Sequence, residues 1–230
     1  MIKAKILLIC VFGILALTAT ATFADTISQT ATWADTVLNW SSAKTFNQFD
    51  PSLGTLNWVQ LTFVGNTWGS VSVENRSELP QTASSYLKSR TRLTDSGGSQ
   101  IFNLYPTKTF SNNLEEFDGD YDYAGTDSAT NTVLKASAGA ASGTVTYNAG
   151  LAAWTGTGTV SYTGAASNFS GTSTPDINFT SSATGNASLT VTYDYTLKVS
   201  DHEPSSIIIA GFGLIGIALF GRRFQKHLIS

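Results

Sequence analysis

Apolar and polar residues alternate with period two along much of this chain. Between residues 56 and 64, Val59, Leu61 and Phe63 alternate with Gln60 and Thr62. Gly65-Asn66 then offers a turn, and Val71 and Val73 resume the alternation beyond Trp68-Gly69. The cleanest stretch is 189–199. Leu189, Val191, Tyr193, Tyr195, Leu197 and Val199 share one face, and Thr190, Thr192, Asp194, Thr196 and Lys198 share the other. Such patterns predict half-buried antiparallel strands. Residues 143–147 and 158–162 read alike and are expected as two neighbouring strands; no period continues beyond these two copies, which argues against a solenoid. Residues 84–94 are expected as a short helix or an irregular loop, and no long segment shows an amphipathic helical period. Many short strands, Gly/Asn/Asp turns and aromatic core positions together predict an all-β fold, an antiparallel, jelly-roll-like β-sandwich.

The two ends break this pattern. Lys3 and Lys5 precede an apolar run over 6–17, and small residues lead to Thr22-Phe23-Ala24. That layout predicts a secretory signal peptide over 1–24, cleaved after Ala24. At the other end, 207–221 is an uninterrupted apolar and glycine run, followed by Arg222, Arg223 and Lys226. As a helix it spans roughly 22 Å, short of the roughly 30 Å hydrocarbon core. It has no polar face, which a surface helix needs. Asp201 and Glu203 lie before it and basic residues after it, so a transmembrane anchor with a cytoplasmic tail is expected, the basic side chains snorkelling to extend its reach. The chain thus divides into a signal (1–24), a β-sandwich body (25–200) and a tail (201–230).

Between the signals the body carries eight Lys or Arg against sixteen Asp or Glu, counted over 25–204, a net charge near −8. Such a body does not attract nucleic acid. It suits divalent cations and neutral or cationic glycans. The single cysteine, Cys10, falls inside the signal, outside the position a lipoprotein signal requires. The exported body therefore has neither disulfides nor thiolate metal sites. Its roughly 180 residues are enough to bury a sizeable core without them.

Glu203-Pro204-Ser205-Ser206, the apolar span and Arg222-Arg223 resemble a PEP-CTERM sorting signal, with His202 standing where the first proline of Pro-Glu-Pro is usual. The resemblance implies an exosortase-like membrane protease-transpeptidase as partner, with Glu203, Pro204, Arg222 and Arg223 as signal residues. Three stretches of the body extend it: Phe49-Asp50-Pro51-Ser52-Leu53-Gly54-Thr55-Leu56, then Val73-Glu74-Asn75, then the segment from Phe117-Asp118-Gly119-Asp120 to Gly125-Thr126. In this order, before a Thr/Tyr-rich terminal strand, they are similar to the choice-of-anchor E domain of bacterial surface proteins. That family brings no enzymatic activity.

Asp118, Asp120, Asp122 and Asp127 form the densest acidic cluster. Alternate carboxylates in a glycine-containing loop suit a structural calcium ion, which takes six to eight oxygens. The opening Asp-x-Asp-x-Asp is that of an EF-hand loop, but Tyr123 and Ala129 stand where its glycine and glutamate belong. A solvated loop with Asp-Gly turns is the simpler alternative. Apart from that ion no cofactor is expected. Glu74 and Asn75 are expected to end a strand, where they either ligate an ion or, as the simpler role, hydrogen-bond a loop, and Asp50-Pro51 is expected to form a turn above Phe46 and Phe49. No catalytic set stands out, because His202 and His227 both lie beside the anchor. A hydrolase would then need a carboxylate pair, which Glu115 and Glu116 with the following aspartates could supply in a glycosidase, but adjacent carboxylates on a polar loop are ordinarily just solvated. Of the five tryptophans, Trp58 and Trp68 are the candidates for glycan contact, the others being core residues. The first functional expectation is a secreted, noncatalytic surface or matrix protein, held at the inner membrane and then passed to the cell surface. The alternative is a carbohydrate-binding module acting on exopolysaccharide.

Overall fold

The computed structural model describes residues 24–198. The signal region and the tail, with Glu203, Pro204, Arg222 and Arg223, lie outside them. Among the described residues no helix is long and apolar enough to cross a membrane.

The described chain is all-β, with eleven strands: β1 (Ala24–Val37), β2 (Trp40–Asn47), β3 (Gly54–Asn75), β4 (Gln81–Asp95), β5 (Gln100–Leu104), β6 (Thr107–Leu114), β7 (Ser128–Val133), β8 (Gly139–Tyr147), β9 (Thr159–Asn168), β10 (Gly171–Thr172) and β11 (Ile177–Leu197). They form two antiparallel sheets. In the first the order is β1-β11-β3-β7, with β8 also on β3; in the second it is β10-β4-β9-β2, with β5 and β6 also on β4. The fold class expected from the alternation is therefore present, as two sheets enclosing a common core.

That core has two parts. One holds Trp33, Phe63, Leu61, Leu189 and Tyr193; the other holds Val71, Val73, Leu87 and Ala183. Between them the inward positions turn small and polar. Thr67, Ser89 and Thr91 are fully buried. A Cβ on Gly65 would lie 2.9 Å from Thr91 Oγ1. Glycine at 65 thus serves the close approach of the two sheets, and the turn expected at Gly65-Asn66 does not exist. β3 runs through it, paired without interruption with β11 from Trp58 to Asn75.

Residues 84–94 also depart from expectation. They form neither a helix nor a loop but the middle of β4, the hub of the second sheet. Its inward residues are Ala83, Ser85, Leu87, Ser89, Thr91 and Leu93. Three of these six carry hydroxyls, so the period of two is present in burial but faint in hydropathy. The like segments at 143–147 and 158–162 fall in β8 and β9, which lie in opposite sheets and do not pair. The turn at Asp50 is as expected: Ser52 N donates to Asp50 Oδ1 at 2.8 Å and Leu53 N to Asp50 O at 3.2 Å, with Phe46 and Phe49 buried.

The register places the chain ends together. Ala24 pairs with Thr196 across β1 and β11, and Gly54 pairs with Leu197 across β3 and β11. Both ends of the body therefore leave from one pole. Asn75, paired with Ile177, marks the other pole. A 22-residue strand separates them, roughly 70 Å of extended chain.

Candidate functional site

The acidic segment 115–127 sits at the pole away from the chain ends. It connects β6 to β7, and Ser128 pairs with Glu74 where β3 ends. By alternation Glu74 belongs to the outer face of its sheet, yet it is fully buried. The loop accounts for this. Asp122 N and Tyr123 N both donate to Glu74 Oε1, at 3.0 and 2.7 Å. Asn75, also fully buried, donates through Nδ2 to Leu79 O and Glu115 O, and its backbone N–H donates to Asp127 O. The expected role of Glu74 and Asn75, ending a strand and fastening a loop, is what the geometry shows.

The loop also caps itself. Asp120 N donates to Asp118 Oδ1 and Ala124 N to Asp122 Oδ1 at 2.9 and 2.8 Å, each an Asx turn. Asp118 N donates to Asp127 Oδ2 at 3.2 Å. The four aspartates are distributed along these bonds, and among the described residues no three acidic groups are gathered to hold a metal ion. Two oxygens remain unaccounted for: Glu74 Oε2 and Asp127 Oδ1 are buried without a hydrogen-bond partner. Asp127 Oδ1 and Asp118 Oδ2 lie 3.2 and 3.3 Å from where a Cβ on Gly125 would stand. Glu74 was legible in sequence only as the end of a strand. Its burial depends on a loop more than forty residues away in the chain.

Trp58 and Trp68 both lie on the outer side of β3, half-buried. Ten residues separate them, about 33 Å along a strand, so they form no shared platform for one sugar. Lys135 Nζ stands 5.5 Å from the Trp68 ring centre and also pairs with Asp35. That pair and a hydrogen bond from Asn186 hold the Asp35 carboxyl below its usual range. Trp33 is a core residue, its Nε1 donating to Ser42 O at 2.9 Å. Trp40 and Trp154 pack against the same cluster.

Fold and site together define an antiparallel two-sheet β protein with an acidic, self-capped loop at one pole. The chain matches no family model and no curated protein. Among solved structures, it is similar to dimeric latent PorU from Porphyromonas gingivalis at 7% identity and a TM-score of 0.25, covering 80% of this chain and 15% of that one. It is also similar to the infectious bursal disease virus Gx strain structure at 10% identity and a TM-score of 0.22, covering 79% and 37%. The chain thus spans well under half the length of either.

Proposed function

We propose that the protein is an exported, noncatalytic display module of the bacterial envelope, with its sandwich, jelly-roll-like in outline, standing outside the inner membrane. The apolar segment 207–221 holds it there, and an exosortase-like protease-transpeptidase acts on the tail through Glu203 and Pro204, with Arg222 and Arg223 on the cytoplasmic side. The observation that carries this reading is the pairing of Ala24 with Thr196. An anchored body needs its membrane-bound end at one pole and its presented surface elsewhere. Here the segments leading to both apolar termini leave side by side, and the acidic loop lies a full strand length away. Intact mass of protein recovered from culture medium tests the reading. A product beginning at Asp25 and ending near Pro204 supports it. A soluble product retaining Met1 and Ser230 opposes it.

One observation favours a structural calcium ion as a second feature of the loop: the orphaned, buried Glu74 Oε2 and Asp127 Oδ1. Two buried carboxylate oxygens without donors are costly unless something neutralises them. Under this reading millimolar calcium raises the melting temperature of the full chain, and Glu74→Gln abolishes the rise. An unchanged melting temperature removes the ion from the account.

A further inference from the structure

The outer face of the second sheet carries a feature that display alone does not use. β4 alternates strictly, and its outward positions include Tyr86, Lys88, Arg90 and Arg92. Three cations thus stand in a row at two-residue intervals, about 7 Å apart along the strand. Three of the eight basic residues of an acidic body are gathered there. No carboxylate pairs with them: Lys135–Asp35 is the one ion pair among the described residues. The facing outward residues of β9, Thr163, Ala165 and Ser167, are small and uncharged, which leaves the cations accessible from the side. Arg90 Nε donates to Asn103 Oδ1 at 2.9 Å, so its guanidinium is oriented while its remaining donors stay available.

Aromatic rings and a depression complete the row. Lys88 Nζ lies 4.6 Å from the Tyr105 ring centre and 5.8 Å from that of Tyr86. Tyr105 and Phe169 are 40% and 48% exposed, and their rings meet edge to face at 6.2 Å. Beside Tyr86 opens a shallow depression of about 420 Å³, in which the aromatic residues Tyr86 and Phe110 lie among the hydroxyls of Ser84, Thr109, Ser111 and Ser173.

We infer that this face binds an acidic polysaccharide, one sugar ring entering the hydroxyl-lined depression beside Tyr86 and successive carboxylates or sulfates lying along Lys88, Arg90 and Arg92. Charge complementarity selects a polyanion against the repulsion of the body as a whole, because screening confines that repulsion to within about 8–10 Å of each charge. The hydroxyl lining selects sugar over nucleic acid. Tyr105 and Phe169, set at 69° to each other, offer no parallel platform on which successive bases stack. The site is separate from Trp58 and Trp68, which lie on the other sheet, and it does not depend on how the chain is sorted.

The test uses the full chain in detergent, with a polyuronate, a neutral glucan and a single-stranded oligothymidylate as probes in affinity electrophoresis. The polyuronate retards the protein, and the triple variant Lys88→Gln/Arg90→Gln/Arg92→Gln loses at least ~10-fold in affinity, as loss of three exposed charge contacts implies. Lys135→Gln, which removes one positive charge elsewhere, leaves the retardation in place. Ser111→Trp, filling the depression without changing charge, also weakens it, and a cooperative thermal unfolding transition at the parent's midpoint certifies that each variant is folded. Equal retardation by the neutral glucan, tighter binding of the oligothymidylate, or an undiminished triple variant overturns the inference. So does self-association of the protein in place of polyuronate binding.

Discussion

At the residue scale the molecule turns on side chains whose environment comes from distant parts of the chain. Glu74 is the clearest. Its Oε1 satisfies two loop N–H groups while the residue itself is fully buried. Glu74→Ala leaves the amides of Asp122 and Tyr123 without an acceptor, a loss of about 2–3 kcal/mol in chemical denaturation. Glu74→Gln keeps a carbonyl acceptor and loses about half as much. Equal losses in the two variants would contradict this account of the loop. Tyrosines set the alkaline limit. Burial pushes the Tyr193 phenol up to about 12 and raises that of Tyr162 further, so the folded state requires both neutral. The contribution of Tyr193 is complete below pH 10, where the unfolded phenol is also neutral, and is lost as pH rises from 10 through about 12, with that of Tyr162 persisting to still higher pH. Tyr193→Phe flattens that decline in a pH series of unfolding midpoints, and a slope identical to that of the parent protein would refute the assignment.

At the element scale, legibility followed hydropathy. The second half of β11 is legible because Leu189, Val191, Tyr193 and Tyr195 alternate with hydroxyls and an aspartate, whereas its first half, 177–188, is rich in small and hydroxyl residues and carries no such alternation. β4 was not, because Ser85, Ser89 and Thr91 occupy inward positions and its outward stripe carries long cationic stems. β3 was read as two strands because glycine ordinarily signals a turn. Gly65 instead relieves a contact with Thr91, a reason that exists only once the sheets are packed. Gly164 plays the same part under Trp33, where a Cβ would fall 2.5 Å from Cε2. Gly164→Val overpacks that site and costs about 1–3 kcal/mol in thermal unfolding, against little for a surface change such as Thr163→Val. The acidic loop was legible in composition but not in geometry. Its aspartates serve Asx turns and a buried strand end, which no spacing rule reveals.

At the scale of the whole molecule, direction is what matters. Two long central strands, β3 and β11, run the length of the body and separate the pole where both chain ends emerge from the pole that holds the acidic loop. The sheet faces lie between, one rich in hydroxyls and the other carrying the basic row. Under the proposed function, a body so arranged would present its loop and its flanks to whatever lies outside the membrane. Membrane-impermeant maleimide labelling of an Asp120→Cys variant in a Cys10→Ser background, in intact spheroplasts, tests that arrangement most directly, since Cys10 is the only other cysteine. The account predicts full labelling of membrane-associated protein without lysis. Labelling that appears only after the spheroplasts are broken open would contradict it.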